Sequence, residues 1–498
     1  MDKNLSELLD KSPADFKRVD FLRVIEKRGI ERLTFHYTAL DGRLKELKIP
    51  VIGKDQAENI LTFGERVDGS SLFKGIVDAD VSDLYVVPEY KTAFLNPFDK
   101  RSLDFFCRFL NKDGERTSFA LDNILHKANS LYQRNTGLEL FALGELEFFL
   151  IYYSDPDIFP MQEQLGYHES SPFRKSGEIL DEMVHHISRI TGVVKYSHTE
   201  VGFIKSIQSE VEEIRGKSAE QLEVEFLPRP VEEMADYLIL ARWIIRNVAF
   251  KHGCVATFAP KIELGVAGNG LHFHLQLRKN KKNIMTDSNG RLSEAALRLI
   301  GGLCQHSPSL TAFGNTVASS YLRLIPHYEA PTRIFWSDLN RSALIRIPLA
   351  WTNTQSLADK INPQDEFKER DLETHQTVEF RSPDGSALVY LLLAGIVLAT
   401  DWAFRGDQSL ELAKKSYFKE KETRDKHGRD QFPLLPSDCG ESAQILLEKR
   451  EFYEKEGIFP PSIIDYMVDF LREENTKVVS SSGSVDMRKL MHQYLHIR

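Results

Sequence analysis

The chain has 498 residues, with 73 Asp and Glu against 64 Lys and Arg, giving a formal net charge of -9 at pH 7. That length supports two domains and a large core, and the acidic balance argues against nucleic acid as a partner. Met1 to Lys17 is polar and charged, unlike a targeting segment. Cys107, Cys254, Cys304 and Cys439 are widely spaced with no C-x-x-C pattern, which suits packing thiols in a reducing cytoplasm.

Taken in chain order, Leu33 to Tyr37 and Leu44 to Ile49 alternate as short strands, joined through Asp41-Gly42, a dipeptide suited to a tight hairpin turn. Asn111-Lys112-Asp113-Gly114-Glu115 separates two apolar stretches, which sets a small domain over 1–113 and a large one over 114–498. Beyond it, four segments repeat one pattern: Gly144 to Phe149, Gln221 to Phe226, Gly270 to His274 and Val378 to Arg381. Residues two apart on a strand share a face. Glu145 with Glu147, Gln221 with Glu223 and Glu225, His272 with His274, and Glu379 with Arg381 therefore each present polar groups from one side, while Leu, Phe and Val fill the other.

Helical patterns cover Val231 to His252, closed by Gly253, and Ser442 to Glu456, closed by Gly457. The apolar run Ala387 to Thr400 is too short to cross a bilayer about 30 Å thick and reads as a buried core helix, so no membrane partner is expected. Arg278 to Lys282 reads as a solvated turn, Lys414 to Gln431 as an exposed helix or loop, and Ser480 to Ser484 as a flexible link.

If the alternating strands form one curved sheet with polar faces inward, five or more glutamates and two histidines converge on one cavity. Such a cluster is costly without cations. Carboxylates with a single imidazole suit Mg²⁺ or Mn²⁺ better than Zn²⁺, and the chemistry suggested is phosphoryl transfer on a hard divalent metal.

Asp68-Gly69-Ser70-Ser71, Glu145-x-Glu147, His272-x-His274, Tyr321-Leu322-Arg323-Leu324, Asn340 to Arg346 and Glu379-x-Arg381 follow one another along the chain. Each is weak alone. Together, over nearly the whole length, the chain resembles the glutamine synthetase family in its bacterial type I form. The resemblance implies an α+β fold, with a small N-terminal β-grasp-like domain and a large catalytic domain of the glutamine synthetase/guanido kinase kind, built on a curved antiparallel sheet.

It also implies two to three Mg²⁺ or Mn²⁺ ions per site, with Glu147, Glu200 and Glu223 around one and Glu145, His272 and Glu379 around a second. Arg323, Arg381, Gly268 and Ser71 match substrate-binding positions, and His274, Gln276, Arg346 and Arg341 match nucleotide-binding ones. Asp68, Glu329 and Arg341 match catalytic positions, with Asp68 favouring ammonium and Glu329 on a closing flap. The implied reaction joins ammonium to glutamate with ATP through a γ-glutamyl phosphate, in the cytoplasm, within a dodecamer of two hexameric rings whose active sites are shared between subunits.

Four departures keep other readings open. Ala267, Asn269 and Leu339 stand where many members carry other residues, and Thr374-His375-Gln376-Thr377 replaces basic residues on the adenine side. Glu210, Glu212 and Glu213 compete with Glu223 as ligands. No counterpart of an adenylylated tyrosine stands near Asp430 to Leu434. A γ-glutamyl ligase for a larger amine and a non-catalytic structural or regulatory homologue are the alternatives.

Overall fold

The hairpin turn Asp41-Gly42 opens the small sheet, with Gly42 at φ +74°. This computed structural model describes residues 4–154, 158–325, 330–350, 357–364, 375–419, 429–479 and 487–498. Arg32–Thr38 pairs antiparallel with Leu44–Pro50 and parallel with Ser102–Leu110. Asp83–Pro88 and Glu65–Asp68 complete the order. Helix Arg18–Arg28 places Phe21 edge-on against Phe105 at 5.0 Å between ring centres, and Phe105 meets Phe35, so a ring cluster fills this domain. The turn Asn111 to Gly114 follows directly on Leu110.

The large sheet runs in the order Trp336–Asp338, Ile345–Ile347, Val378–Phe380, Leu271–Lys279, Glu139–Tyr152, Ser218–Phe226, Val194–Ile204. One expectation needs correction. The sheet is antiparallel except at its edge, where Trp336–Asp338 and Ile345–Ile347 run parallel. Between them Leu339 turns the chain in the left-handed region at φ +59°. Leu146, Phe148, Leu222, Val224, Phe273 and Phe380 are buried on the apolar side of the sheet. Helix Val231–Lys251 lies so close there that a Cβ on Gly144 would sit 2.8 Å from Leu238.

Val389–Ala403 is a buried helix, and among the described residues no single helix is long and apolar enough to cross a membrane. The helix expected over Ser442 to Glu456 is two. It starts at Cys439 because the Asp438 carboxylate accepts from the Glu441 N–H at 2.8 Å, and it breaks at Lys449 before Arg450–Glu454. Arg278 to Lys282 is a turn with Asn280 and Lys281 at positive φ. In the charged stretch from Lys414, Phe418 is buried against Phe335 and Phe432, so that part is not an exposed segment. Residues 420–428 and Ser480 to Ser484 lie outside the described residues.

Arg108 on strand Ser102–Leu110 joins the small sheet to helices Leu121–Thr136 and Val231–Lys251 of the large domain. Its guanidinium donates to Glu89 at 2.7 Å and to Asp236 at 2.5 Å, and lies 3.6 Å from Asp122. Tyr390 donates to the other Asp236 oxygen at 2.6 Å. Burial pushes the Asp122 and Asp236 carboxyls up against the pull of Arg108. Removing the cation leaves buried carboxylates uncompensated, so Arg108→Met is expected to cost about 3–5 kcal/mol, read as a lowered denaturant midpoint.

Candidate active site

Strand register assembles the site. Glu145 stands opposite His272 on one side and Glu225 on the other, and Glu147 stands opposite Glu223. His274 faces Glu379, which in turn faces Arg346. The polar faces open on a cavity of about 800 Å³. Glu145, Glu147, Glu200, Glu223, Glu225 and Glu379 line it, together with His272, His274, Gln276, Gly268, Arg323, Arg341, Arg346 and Arg381.

The carboxylates divide by how they are neutralised. Glu145 accepts from His272 Nδ1 at 2.9 Å and from His274 Nε2 at 2.8 Å. Burial raises its pKa, but the charge of His274 and these hydrogen bonds override burial and hold it well below the usual range. Glu379 sits between Arg346, at 2.7 Å, and Arg381. Burial raises Glu379 and the Arg381 charge outweighs it, so its pKa is lowered. Lys195 covers Glu225 at 2.6 Å.

Among the described residues, Glu200 and Glu223 pair with no lysine or arginine at the close range that serves Glu145, Glu379 and Glu225, and the charge of Arg341 pulls Glu200 down only weakly. Burial, then the charge of Glu147, pushes Glu200 up to about 8. Burial, then Glu145 and Glu147, pushes Glu223 well above its ordinary value. Their neighbour is His198, with Nε2 3.2 Å from Glu223 and Nδ1 3.7 Å from Glu200, and burial lowers the pKa of this histidine. Glu147 itself accepts from the Gly270 N–H at 2.8 Å and from Gln221 at 3.0 Å.

Two tight ligand groups result: Glu145, His272 and Glu379, and His198, Glu200 and Glu223, each with donor atoms within 4.8 Å of one another. Glu200 and Glu223 are thus grouped with His198, and Glu147 belongs to neither group. Glu145, Glu223 and Glu225 form a third overlapping group. Carboxylate oxygens with one imidazole in each group fit a hard divalent cation.

Beside these groups Arg323 donates to Ser382 O at 2.9 Å and to His272 Nε2 at 3.1 Å. His274 is fixed by Thr377 at 2.9 Å through its other nitrogen. Gln276 is held beside Asn283. A Cβ on Gly268 would lie 2.3 Å from Pro260 O, so only glycine fits there. Asp68 and Ser71 lie on the exposed small domain, outside this cavity in their own chain. Ser71 and Ser70 hydrogen bonds hold the Asp68 carboxyl down at about 2. Glu329 lies outside the described residues.

The family comparisons match this arrangement over most of the chain. Residues 29–112 match the glutamine synthetase beta-Grasp domain and residues 123–490 the glutamine synthetase catalytic domain. The chain belongs to the glutamine synthetase family. Glutamine synthetase of Aquifex aeolicus is 28% identical over 486 residues, covering 91% of this chain and 94% of that protein. The cryo-EM structure of Plasmodium falciparum glutamine synthetase superposes with a TM-score of 0.74 at 22% identity, over 95% of this chain and 98% of that one. A GmaS/ADP complex gives 0.71 at 19% identity, over 94% and 98%. The fold is therefore the α+β fold of ATP-dependent glutamate ligases in this family.

For a glutamine synthetase family member, several lining residues were not singled out from the sequence. His198 shares a strand face with Glu200, a His-x-Glu alternation that was present to be read. Tyr167, which packs its ring 5.4 Å from that of His198, comes from a loop and carried no periodic signal. Asn269 is not among the residues that line this cavity: it is buried and donates to Thr257 O at 3.2 Å and Ala259 O at 2.9 Å, so this departure supports the backbone. Leu339 is exposed.

A carboxyl with a folded pKa of about 8 and an ordinary value of 4.5 binds more protons folded than unfolded between those limits. Stability without metal should therefore fall as pH rises from about 4.5 to about 8, and added Mg²⁺ or Mn²⁺ should restore most at the alkaline end. The same carboxyls should release protons when metal binds at pH 7, read as a binding enthalpy that varies with buffer ionisation enthalpy.

Proposed function

We propose that the protein joins ammonia to the γ-carboxylate of L-glutamate with ATP, through γ-glutamyl phosphate, giving glutamine, ADP and phosphate. The observation that carries this reading is the charge layout of one cavity, with six carboxylates facing Arg323, Arg341, Arg346 and Arg381. Such a layout suits two anionic substrates. The ADP complex of a structural neighbour supports a nucleotide as one of them.

Glu145, His272 and Glu379 would hold one Mg²⁺ or Mn²⁺, and Glu147, Glu200 and Glu223, with His198 beside them, a second, with two to three ions per site in all. Bound there, such ions neutralise phosphate charge and polarise the transferring phosphoryl group. Arg341 and Arg346 orient phosphate oxygens, while Arg323 and Arg381 grip substrate carboxylates, as planar guanidinium forks do. His274 and Gln276 flank the nucleotide, and the bare backbone at Gly268 lets the amino acid approach closely.

Phosphorylation makes the γ-carbonyl electrophilic. Ammonia then forms the C–N bond as the bond to phosphate breaks, with Glu329 taking the surplus proton. Asp68 and Ser71 stand outside their own chain's cavity, an arrangement suited to completing a neighbouring subunit's site in a dodecamer of two hexameric rings. The four cysteines are free thiols, which accords with a cytoplasmic enzyme.

A larger amine is the second reading, favoured by the wall of Gly265, Ala267 and Gly268, which offers no side chain beyond a methyl group. The deciding measurement is phosphate release from ATP with Mg²⁺ and glutamate, comparing ammonium with methylamine, ethanolamine and polyamines. Release that needs both glutamate and ammonium, with glutamine formed, supports the proposal. Release only with a larger amine moves the assignment to that acceptor, and no turnover with any amine makes a non-catalytic role the better reading. Glu379→Gln should lower kcat by about 100-fold or more while the protein remains folded by circular dichroism.

A further inference from the structure

Arg498 lies far along the chain from every motif above, yet its guanidinium is buried where the two domains meet. It donates to Ser386 O at 2.7 Å, to Thr316 Oγ1 at 2.8 Å and to Asp41 O in the hairpin turn of the small domain. A Cβ on Gly42 would lie 3.2 Å from Arg498 Cδ and 2.6 Å from Leu388, so the turn is seated tightly on this side chain and on the loop after Arg381. Arg246 donates to Arg498 O and, at 2.6 Å, to Ile497 O, which fixes the backbone that carries the guanidinium.

From Ser386 a continuous run of hydrogen bonds leads to the cavity. Ser386 Oγ donates to Asp384 at 2.6 Å, and Asn315 donates to the other Asp384 oxygen at 2.8 Å and to Ser382 O at 2.7 Å. Ser382 O also accepts from Arg323 at 2.9 Å, and Arg381 O accepts from the same guanidinium at 3.3 Å. Ser386, Asp384, Asn315, Ser382 and Arg323 are all buried, so each link works where water cannot replace it.

We propose that Arg498 is a positioning residue: by clasping the Asp41-Gly42 turn to the loop 382–388, it sets the placement of Arg323 and Arg381 toward a substrate carboxylate. The proposal rests on the reading that these two arginines bind glutamate. Arg498 touches no substrate. Its influence is on geometry, and small misplacements of binding groups have large kinetic effects.

The test compares the full chain with Arg498→Met, Arg498→Lys and Tyr494→Phe. The last removes the Tyr494 hydrogen bond to Glu474 in the same segment and leaves the clasp intact. Arg498→Met should raise KM for glutamate about tenfold, with KM for ATP within about twofold, and Lys should recover part of the loss. Tyr494→Phe should leave both constants unchanged. Amide exchange at 382–388 should quicken in Arg498→Met and not in Tyr494→Phe.

An unchanged glutamate KM with unchanged exchange overturns the proposal, as does a fall in kcat alone that Tyr494→Phe shares. If Arg498→Met does not fold, Thr316→Val removes one acceptor of the clasp and should shift the glutamate KM in the same direction. If the parent protein shows no glutamate-dependent turnover, the functional reading fails separately, and the exchange comparison alone decides the clasp.

Discussion

Mutual repulsion among carboxylates brought to one cavity is the constraint on which the rest of this structure depends. The protein answers it unevenly. Glu379 is held by Arg346 and Arg381, Glu145 by His272 and His274, and Glu225 by Lys195. Glu200 and Glu223 lie beside His198, whose own burial disfavours a positive charge, and the pull of Arg341 on Glu200 does not outweigh burial. One half of the site is neutralised by the fold itself. The other half takes its neutrality from protons or cations supplied from outside, which is how binding of such ions becomes coupled to stability.

Register makes this arrangement possible, and the hydrophobic core fixes register. A slip of one residue between Leu271–Lys279 and Glu139–Tyr152 would turn His272 and His274 into the apolar side and Leu271 and Phe273 into the cavity. Burial of Leu146, Phe148, Phe273 and Phe380 opposes that slip at every position. The same choice that buries the core therefore aims the ligands. Core and site are two faces of one pairing pattern.

Much of this was legible in the sequence because alternation at period two carries both kinds of information at once. Glu145 with Glu147, His272 with His274 and Glu379 with Arg381 could be assigned to faces without coordinates, as could the turn at Asp41-Gly42 and the buried helix near Val389. What escaped depends on spacing in three dimensions. Nothing in the residue order sets the His198 and Glu200 pair against Glu223, because that meeting depends on the pairing of two strands. The parallel edge pair turns on the left-handed Leu339, a conformation no pattern announces in a leucine. Asn269 departs from the residue many members carry, and residue order does not tell that its side chain is spent on the backbone oxygens of Thr257 and Ala259. The helix break at Lys449 falls inside a periodic run, where periodicity alone gives no warning.

The small domain adds a second requirement, because the role proposed for Asp68 at a neighbouring site needs that domain to be held at a defined angle. Two buried contacts supply this. The Arg108 cluster binds strand Ser102–Leu110 to helix Val231–Lys251, and the Gly42 turn seats on Leu388 and Arg498. Two separated contacts leave rotation only about the line through them, and Trp243 packed against His36, Phe94 and Phe98 opposes that rotation. The first is ionic and rigid through its charge, and the second is steric and depends on glycine. Because the second passes through the loop that bonds Arg323, rotation of the small domain strains the same hydrogen bonds that seat the arginine, so the angle of the small domain and the placement of Arg323 are set together.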